Sequence, residues 1–186
     1  MALTATIYQA RLDIADSDRD FYLSTRLTLA QHPSETGQRM VARLLAWCLF
    51  ADEALIFGRG ISTRDEPDLW HKDLRDHICH WIDVGEPEGD RIRKASQRSD
   101  RVTLLPFGRQ WHQWWQRNQK ALLALNNVEV ILLPGDTLET LANDLPRTFS
   151  WQVTISEGEL FITDHQQRQV ALKPQVNPAN QHGASP

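Results

Sequence analysis

The stretch HICHWIDVG, His77–Gly85, decides how this chain is read. Apolar side chains fall on both alternating faces of it, at Ile78, Cys79, Trp81, Ile82 and Val84. That pattern predicts a strand buried on both sides. Downstream, DRIRKASQRS reads as a short basic helix, RVTLLPFG as a strand and GRQWHQWWQRNQKALLAL as a long helix. VEVILLP reads as a strand and GDTLETLANDL as a short helix. Strand–helix alternation of this kind predicts a parallel or mixed sheet, its strands joined by right-handed crossovers.

Upstream the period is two. FYLSTRLTLA sets Phe21, Leu23, Thr25, Leu27 and Leu29 against Tyr22, Ser24, Arg26 and Thr28, so residues 3–30 read as a half-buried hairpin with ATIYQARLDIAD. The spacing then turns helical at Met40, Val41, Leu44, Leu45, Cys48 and Leu49, with Pro33 or Ser34 opening a helix that runs to about Ala51. EALIFGRGIS reads as a short strand, and TRDEPDLWHKDLRD, broken by Pro67, as a loop. TFSWQVTISEGELFITD predicts a closing hairpin that turns at Glu157-Gly158. The expected fold is α/β: a mixed β-sheet with helices on both faces and peripheral N- and C-terminal hairpins. A single domain is expected over 1–173, with a disordered tail over 174–186.

The 186 residues suffice for one substantial core. A net charge of −4 supplies no global attraction for nucleic acid or an anionic membrane, so a nucleic-acid role requires a local basic patch. No run approaches the ~20 apolar residues of a membrane span. MALTATIYQA lacks the charged and apolar regions of a secretory leader, and Cys48 and Cys79 read as reduced thiols. The expectation is a cytoplasmic protein without a membrane partner.

Asp83 is the first candidate for chemistry. A buried carboxylate is costly unless it is paired, hydrogen-bonded or metal-bound. Two readings stay open: Asp83 caps a loop or pairs with an arginine at the strand end, or it belongs to a site. Asp68, stiffened by Pro67, can reach the C-terminal end of the same strand. Two carboxylates ~4 Å apart repel by roughly 4 kcal/mol at an effective dielectric of 20. They would share a proton or hold a cation such as Mg²⁺ or Mn²⁺ between them.

Glu35, Arg39 and Arg43 stand at i, i+4 and i+8. They form either an exposed ion-pair ladder or an outer carboxylate with arginines near a bound anion. GDRIRKASQRSDR concentrates Arg91, Arg93, Lys94, Arg98 and Arg101, as a solvated helix face or a phosphate-binding surface. Zinc at His71, His77, Cys79 and His80 is disfavoured because His77 and His80 point to opposite strand faces. Trp111, Trp114 and Trp115 share a helical face and read as core in preference to a base-stacking platform.

The motifs TATIYQA, LTLAQHPSETGQRMVARLLAW, TRDEPDLW, WIDVGEP and RIRKAS, with Trp114-Trp115, resemble the YaeQ family of small bacterial proteins. The resemblance extends to about Leu172. Members of that family are generally described as functionally uncharacterised. The resemblance implies a fold similar to the PD-(D/E)XK nuclease superfamily, in which restriction endonucleases hold Mg²⁺ between acidic side chains. It maps Glu35 onto the helix acid, Asp68 onto the aspartate of Pro-Asp, and Asp83 onto the strand acid. The lysine expected two residues after Asp83 is Gly85, and Lys94, or failing it Arg93, is the local substitute. The resemblance thus implies a metal-dependent phosphodiesterase acting on nucleic acid. Asp68, Asp83 and Glu35 would hold Mg²⁺ or Mn²⁺, and Arg39, Arg43, Arg91 and Arg93 the phosphates. The alternative is a non-enzymatic nuclease-like module that binds nucleic acid or a protein partner.

Overall fold

Eleven strands and four helices build the described part of the chain, residues 4–59 and 65–176 of a computed structural model. They belong to two compact units, each with its own sheet. The first unit takes the chain up to Leu49 together with Pro134–Pro174. The second takes Phe50–Leu133, joined by Gln175 and Val176.

In the first unit, β1 (Thr6–Asp16) and β2 (Phe21–Gln31) form the predicted antiparallel hairpin. β8 (Thr148–Ser156) lies parallel to β1 on its other side, and β9 (Glu159–Thr163) and β10 (Gln169–Leu172) extend the sheet. The β8–β9 turn falls at Glu157-Gly158, both with positive φ, which suits the twist of a two-residue hairpin. The Asp18 carboxylate accepts both N–H groups of that turn and so ties the two hairpins together. One face of the sheet carries Ala10, Leu12, Ile14, Phe149, Trp151, Val153, Ile155, Leu160 and Ile162, all buried.

Helix α1 (Gly37–Leu49) packs along α4 (Gly135–Ala142) in the same unit. Every residue from Met40 to Cys48 is buried, as expected for a helix that is apolar nearly all round. Burial pushes the Cys48 thiol up to about 12, which makes it inert as a nucleophile. The helix begins at Gly37, three or four residues later than the Ser34 or Pro33 start expected from sequence. Ser34 N–H bonds back to His32 and Glu35 N–H to the His32 carbonyl, so Pro33-Ser34 is a turn. Thr36 is the cap, its hydroxyl accepting the Arg39 N–H.

In the second unit the strand order is β11-β7-β6-β5-β4-β3. β5 (Ile78–Val84), β6 (Ser99–Leu105) and β7 (Val128–Leu132) are parallel, linked through α2 (Gly89–Arg98) and α3 (Trp111–Leu122). This is the strand–helix alternation that HICHWIDVG leads into. Antiparallel β4 (Leu69–Lys72) and β3 (Leu55–Phe57) follow on one side, and β11 (Gln175–Val176) pairs with β7 on the other. The expectation of helices on both faces is not met by α2 and α3. Both pack on one face, where Ile92, Ala95, Trp114, Trp115 and Leu122 join Trp81, Val102, Leu104 and Val130 in one cluster. The tryptophans of α3 are therefore core, as expected.

Two further differences from the sequence expectation concern β4 and the tail. β4 forms where charged neighbours and Pro67 predict a loop, because its backbone pairs with both β3 and β5. Its register with β5 slips by one residue between His71 and Lys72, a β-bulge at Cys79 that sends Ile78 into the same cluster as Trp81. The tail is strand, not disorder, at Gln175 and Val176, and the rest of the expected disordered segment lies outside the described residues. The mixed α/β character holds, but as two sheets instead of one.

Candidate functional site

The second unit places Asp68 and Asp83 side by side. The β4–β5 register pairs Leu69 with Ile82, so one step outward Asp68 stands opposite Asp83 at the C-terminal end of β5. Three hydrogen bonds to backbone groups fix Asp68. Its N–H donates to the Ile82 carbonyl at 3.0 Å, its carbonyl accepts the Gly58 N–H at 2.9 Å, and its Oδ2 accepts the Val84 N–H at 2.8 Å. Gly58 is required by this close approach, since a Cβ there would sit 2.0 Å from the Pro67 carbonyl oxygen. Asp68 is 3% exposed and Asp83 2%.

Arg91, on the first turn of α2, closes on Asp83 with a two-pronged fork. Its Nε donates to Oδ2 and its Nη2 to Oδ1, both at 2.7 Å, and Nη2 also donates to the Glu66 carbonyl. Planar guanidinium matches planar carboxylate, the geometry that makes such pairs strong and specific. Both Asp83 oxygens are thus engaged by one cation. The open reading in which Asp83 pairs with an arginine is the one the geometry takes.

The rest of the basic helix follows from this contact. Arg91, Lys94 and Arg98 lie at i, i+3 and i+7, on one face of α2. All three hold the segment before Pro67: Arg91 the Glu66 carbonyl, Lys94 the Asp65 carboxylate, Arg98 the Asp65 carbonyl. The Lys94 ammonium holds the Asp65 carboxyl below the usual carboxylate range. Arg91 and Arg98 also approach the Trp81 ring, at 5.7 and 5.6 Å from its centroid. Arg93 points elsewhere and pairs with exposed Asp90. The i, i+3, i+7 spacing is present in the sequence, but the segment it grips is not identifiable there.

Gly85 explains the missing lysine in backbone terms. It has φ +101°, and its N–H donates to the Leu105 carbonyl at 2.8 Å. A Cβ would meet nothing within 4 Å, so space is not the constraint. The conformation is, because an L residue at that φ is strained. The chain leaves the strand at Gly85, and Lys94 is already committed to Asp65.

Glu35 belongs to the first unit and is fully occupied there. Arg43 grips it with Nε on Oε1 and Nη2 on Oε2, at 2.8 and 2.7 Å, and Arg39 adds a bond to Oε1 at 2.8 Å. The side chains of Glu35 and Arg43 are 1% and 4% exposed, so this is a buried pair and not the surface ladder that the spacing suggests. Arg43 also donates to the Ala30 carbonyl, which anchors α1 to β2.

The donor set does not suit a resident divalent cation as it stands. A cation at Asp83 would have to displace Arg91. Among the described residues no group of three or more His, Cys, Asp and Glu side chains is arranged to hold a metal. His77 pairs with Asp100, and His80, opposed to His71 across β4 and β5, bonds to the Thr103 hydroxyl. No helix among the described residues is long and apolar enough to cross a membrane.

With a parallel β5–β6–β7 core and an arginine-clamped aspartate at its strand ends, this is a mixed α/β protein whose candidate site lies at the carboxyl edge of a sheet. The YaeQ protein family model matches residues 1–173, and the chain belongs to that family. It is 42% identical to the uncharacterized protein YaeQ of Salmonella typhi over 165 residues, 88% of this chain and 91% of that one. It is 41% identical to its counterpart in Escherichia coli strain K12, with the same coverage. The crystal structure of the YaeQ protein from Xanthomonas axonopodis pv. citri superposes with a TM-score of 0.90 at 41% identity, covering 94% of this chain and 98% of that one. That of the Pseudomonas syringae YaeQ protein gives 0.89 at 43% identity, covering 93% and 96%.

Proposed function

We propose that this chain is a non-hydrolytic binding module built on a PD-(D/E)XK nuclease-like core, recognising nucleic acid or a protein partner at the C-terminal end of β5. The observation that carries this reading is the Asp83–Arg91 fork. A hydrolytic site of this kind needs Asp83 open to a cation and a lysine beside it. Here an arginine neutralises the aspartate, and the lysine position is a positive-φ glycine. Incubation with single- and double-stranded DNA and RNA, with Mg²⁺ or Mn²⁺, tests it beside Asp68→Asn and Asp83→Asn variants. The expected result is no cleavage above that of the variants. Wild-type cleavage that both variants abolish would overturn the reading.

The second reading is the metal-dependent phosphodiesterase, and a specific observation favours it. Asp68 and Asp83 are both buried and opposed at one strand end, with Asp68 anchored to the Val84 amide next to Asp83. In that reading Arg91 exchanges Asp83 for a phosphate when a divalent cation is supplied. The same assay decides between the two.

A further inference from the structure

The outer face of the first unit's sheet carries a feature that the nuclease-like reading does not use. Its registers align side chains in rows across the strands. One row runs Arg26, Arg11, Ser150 over β2, β1 and β8. The next runs Ser24, Asp13, Gln152, Thr163, Gln169 over all five strands. A third runs Tyr22, Ala15, Thr154, Phe161, Ala171.

Two properties of these rows point to a ligand. Arg11 and Arg26 are directly opposed across the strand pair, both exposed or half-exposed, and have no ion-pair or hydrogen-bond partner among the described residues. Like charges at directly opposed positions repel. The Asp13 carboxylate stands one row away, where it accepts the Ser24 hydroxyl at 2.6 Å and forms no ion pair with either arginine among the described residues. Tyr22 and Phe161 are 67% and 45% exposed in an otherwise small-residue row. Between them and the arginines, two shallow grooves of about 210 and 380 Å³ share Gln152 and Thr163; the first starts at Arg11 and Ser150 and also holds Asp13 and the Arg168-paired Asp164, and the second reaches Phe161.

We infer that this face binds single-stranded nucleic acid. A backbone phosphate bridges Arg11 and Arg26, within reach of the Ser150 hydroxyl, and cancels their repulsion. Bases stack on Tyr22 and Phe161, and the amides and hydroxyls of Gln152, Thr163 and Gln169 meet base edges in the grooves. An open sheet face with basic and aromatic side chains suits unstacked bases, whereas a duplex hides its bases and offers only its backbone. The inference stands independently of the proposed function, because every residue it uses lies in the first unit.

Fluorescence anisotropy with labelled oligouridylate and oligothymidylate, and with a matched duplex, tests it on the full chain. Wild type binds the single strands in preference to the duplex. The double variant Arg11→Gln/Arg26→Gln weakens binding roughly tenfold or more and flattens the salt slope by about 0.7, for the one phosphate the pair holds. Tyr22→Ala and Phe161→Ala each weaken it roughly fivefold or more through lost stacking. The melting temperature of the arginine variant does not fall, because a repulsive pair has been removed. Lys120→Gln, which removes an exposed cation from α3, binds as wild type does. Absent binding, equal affinity for the duplex, an unchanged arginine variant or a roughly tenfold loss in Lys120→Gln would each overturn the inference.

Discussion

Two carboxylates in this molecule are held by arginine forks of nearly identical geometry, yet they sit in different surroundings. Glu35 and Arg43 are sealed together, at 1% and 4% side-chain exposure, with Arg39 closing the remaining side. Asp83 is just as buried, at 3%, but its partner Arg91 is 27% exposed. The first fork is a permanent cross-brace between the approach to α1 and the end of β2. The second has one face on solvent, at the end of a parallel strand where α/β sheets commonly bind ligands. Burial of the guanidinium, more than the pairing itself, separates a structural brace from a site.

Breaking the brace gives the largest effect. Arg43→Ala leaves Glu35 buried without its main partner, and chemical denaturation should show a loss of roughly 3–5 kcal/mol. Arg91→Ala sharpens the contrast: solvent can reach the vacated fork, so the loss should be smaller, about 2 kcal/mol. Equal losses from the two variants would erase the distinction.

His80 gives an effect of similar size but tied to pH. Burial, with Arg101 and His71 adding to it, pushes its pKa down to about 4. The unfolded chain therefore binds a proton near pH 6.5 that the folded chain refuses until about pH 4. Stability from this group is complete above the unfolded value and declines as pH falls. Between about pH 7.5 and pH 5 the loss should be about 2 kcal/mol. Its absence in His80→Gln, read from denaturation at the two pH values, confirms the source, and an identical pH dependence would contradict it. The smallest effect belongs to Lys94→Gln, which breaks an exposed pair with Asp65 and should leave the melting temperature unchanged. A clear drop would mean that the grip of α2 on the segment before Pro67 is itself a brace.

How much of the molecule is legible in its sequence depends on the range of the interaction. The β1–β2 alternation and the helical period at Met40–Leu49 are local signals, and both appear where expected. So does the turn at Glu157-Gly158. The pairing of β1 with β8 is not local. Ala10 meets Phe149 across most of the chain, and nothing in either strand names its partner, so the sequence predicts one sheet where there are two. β4 escapes prediction for a related reason: backbone pairing on both sides outweighs the loop character of Trp70-His71-Lys72. At the site, the adjacency of Asp68 and Asp83 is legible from Pro67 and the strand end. The use of the basic stripe is not, because Arg91 reaches Asp83 only once the β5–α2 turn is made. Gly85 looks like a lost lysine in the sequence, and its positive φ shows a backbone requirement that composition cannot reveal.

The central claim is that the Asp83 carboxylate belongs to Arg91 and not to a metal. Calorimetric titration of Mn²⁺ into wild type, Arg91→Ala and Arg91→Ala/Asp83→Asn tests it most directly. The account predicts no Asp83-dependent heat in wild type, a binding isotherm in Arg91→Ala, and its loss in the double variant. Mn²⁺ binding by wild type that Asp83→Asn alone abolishes would contradict it.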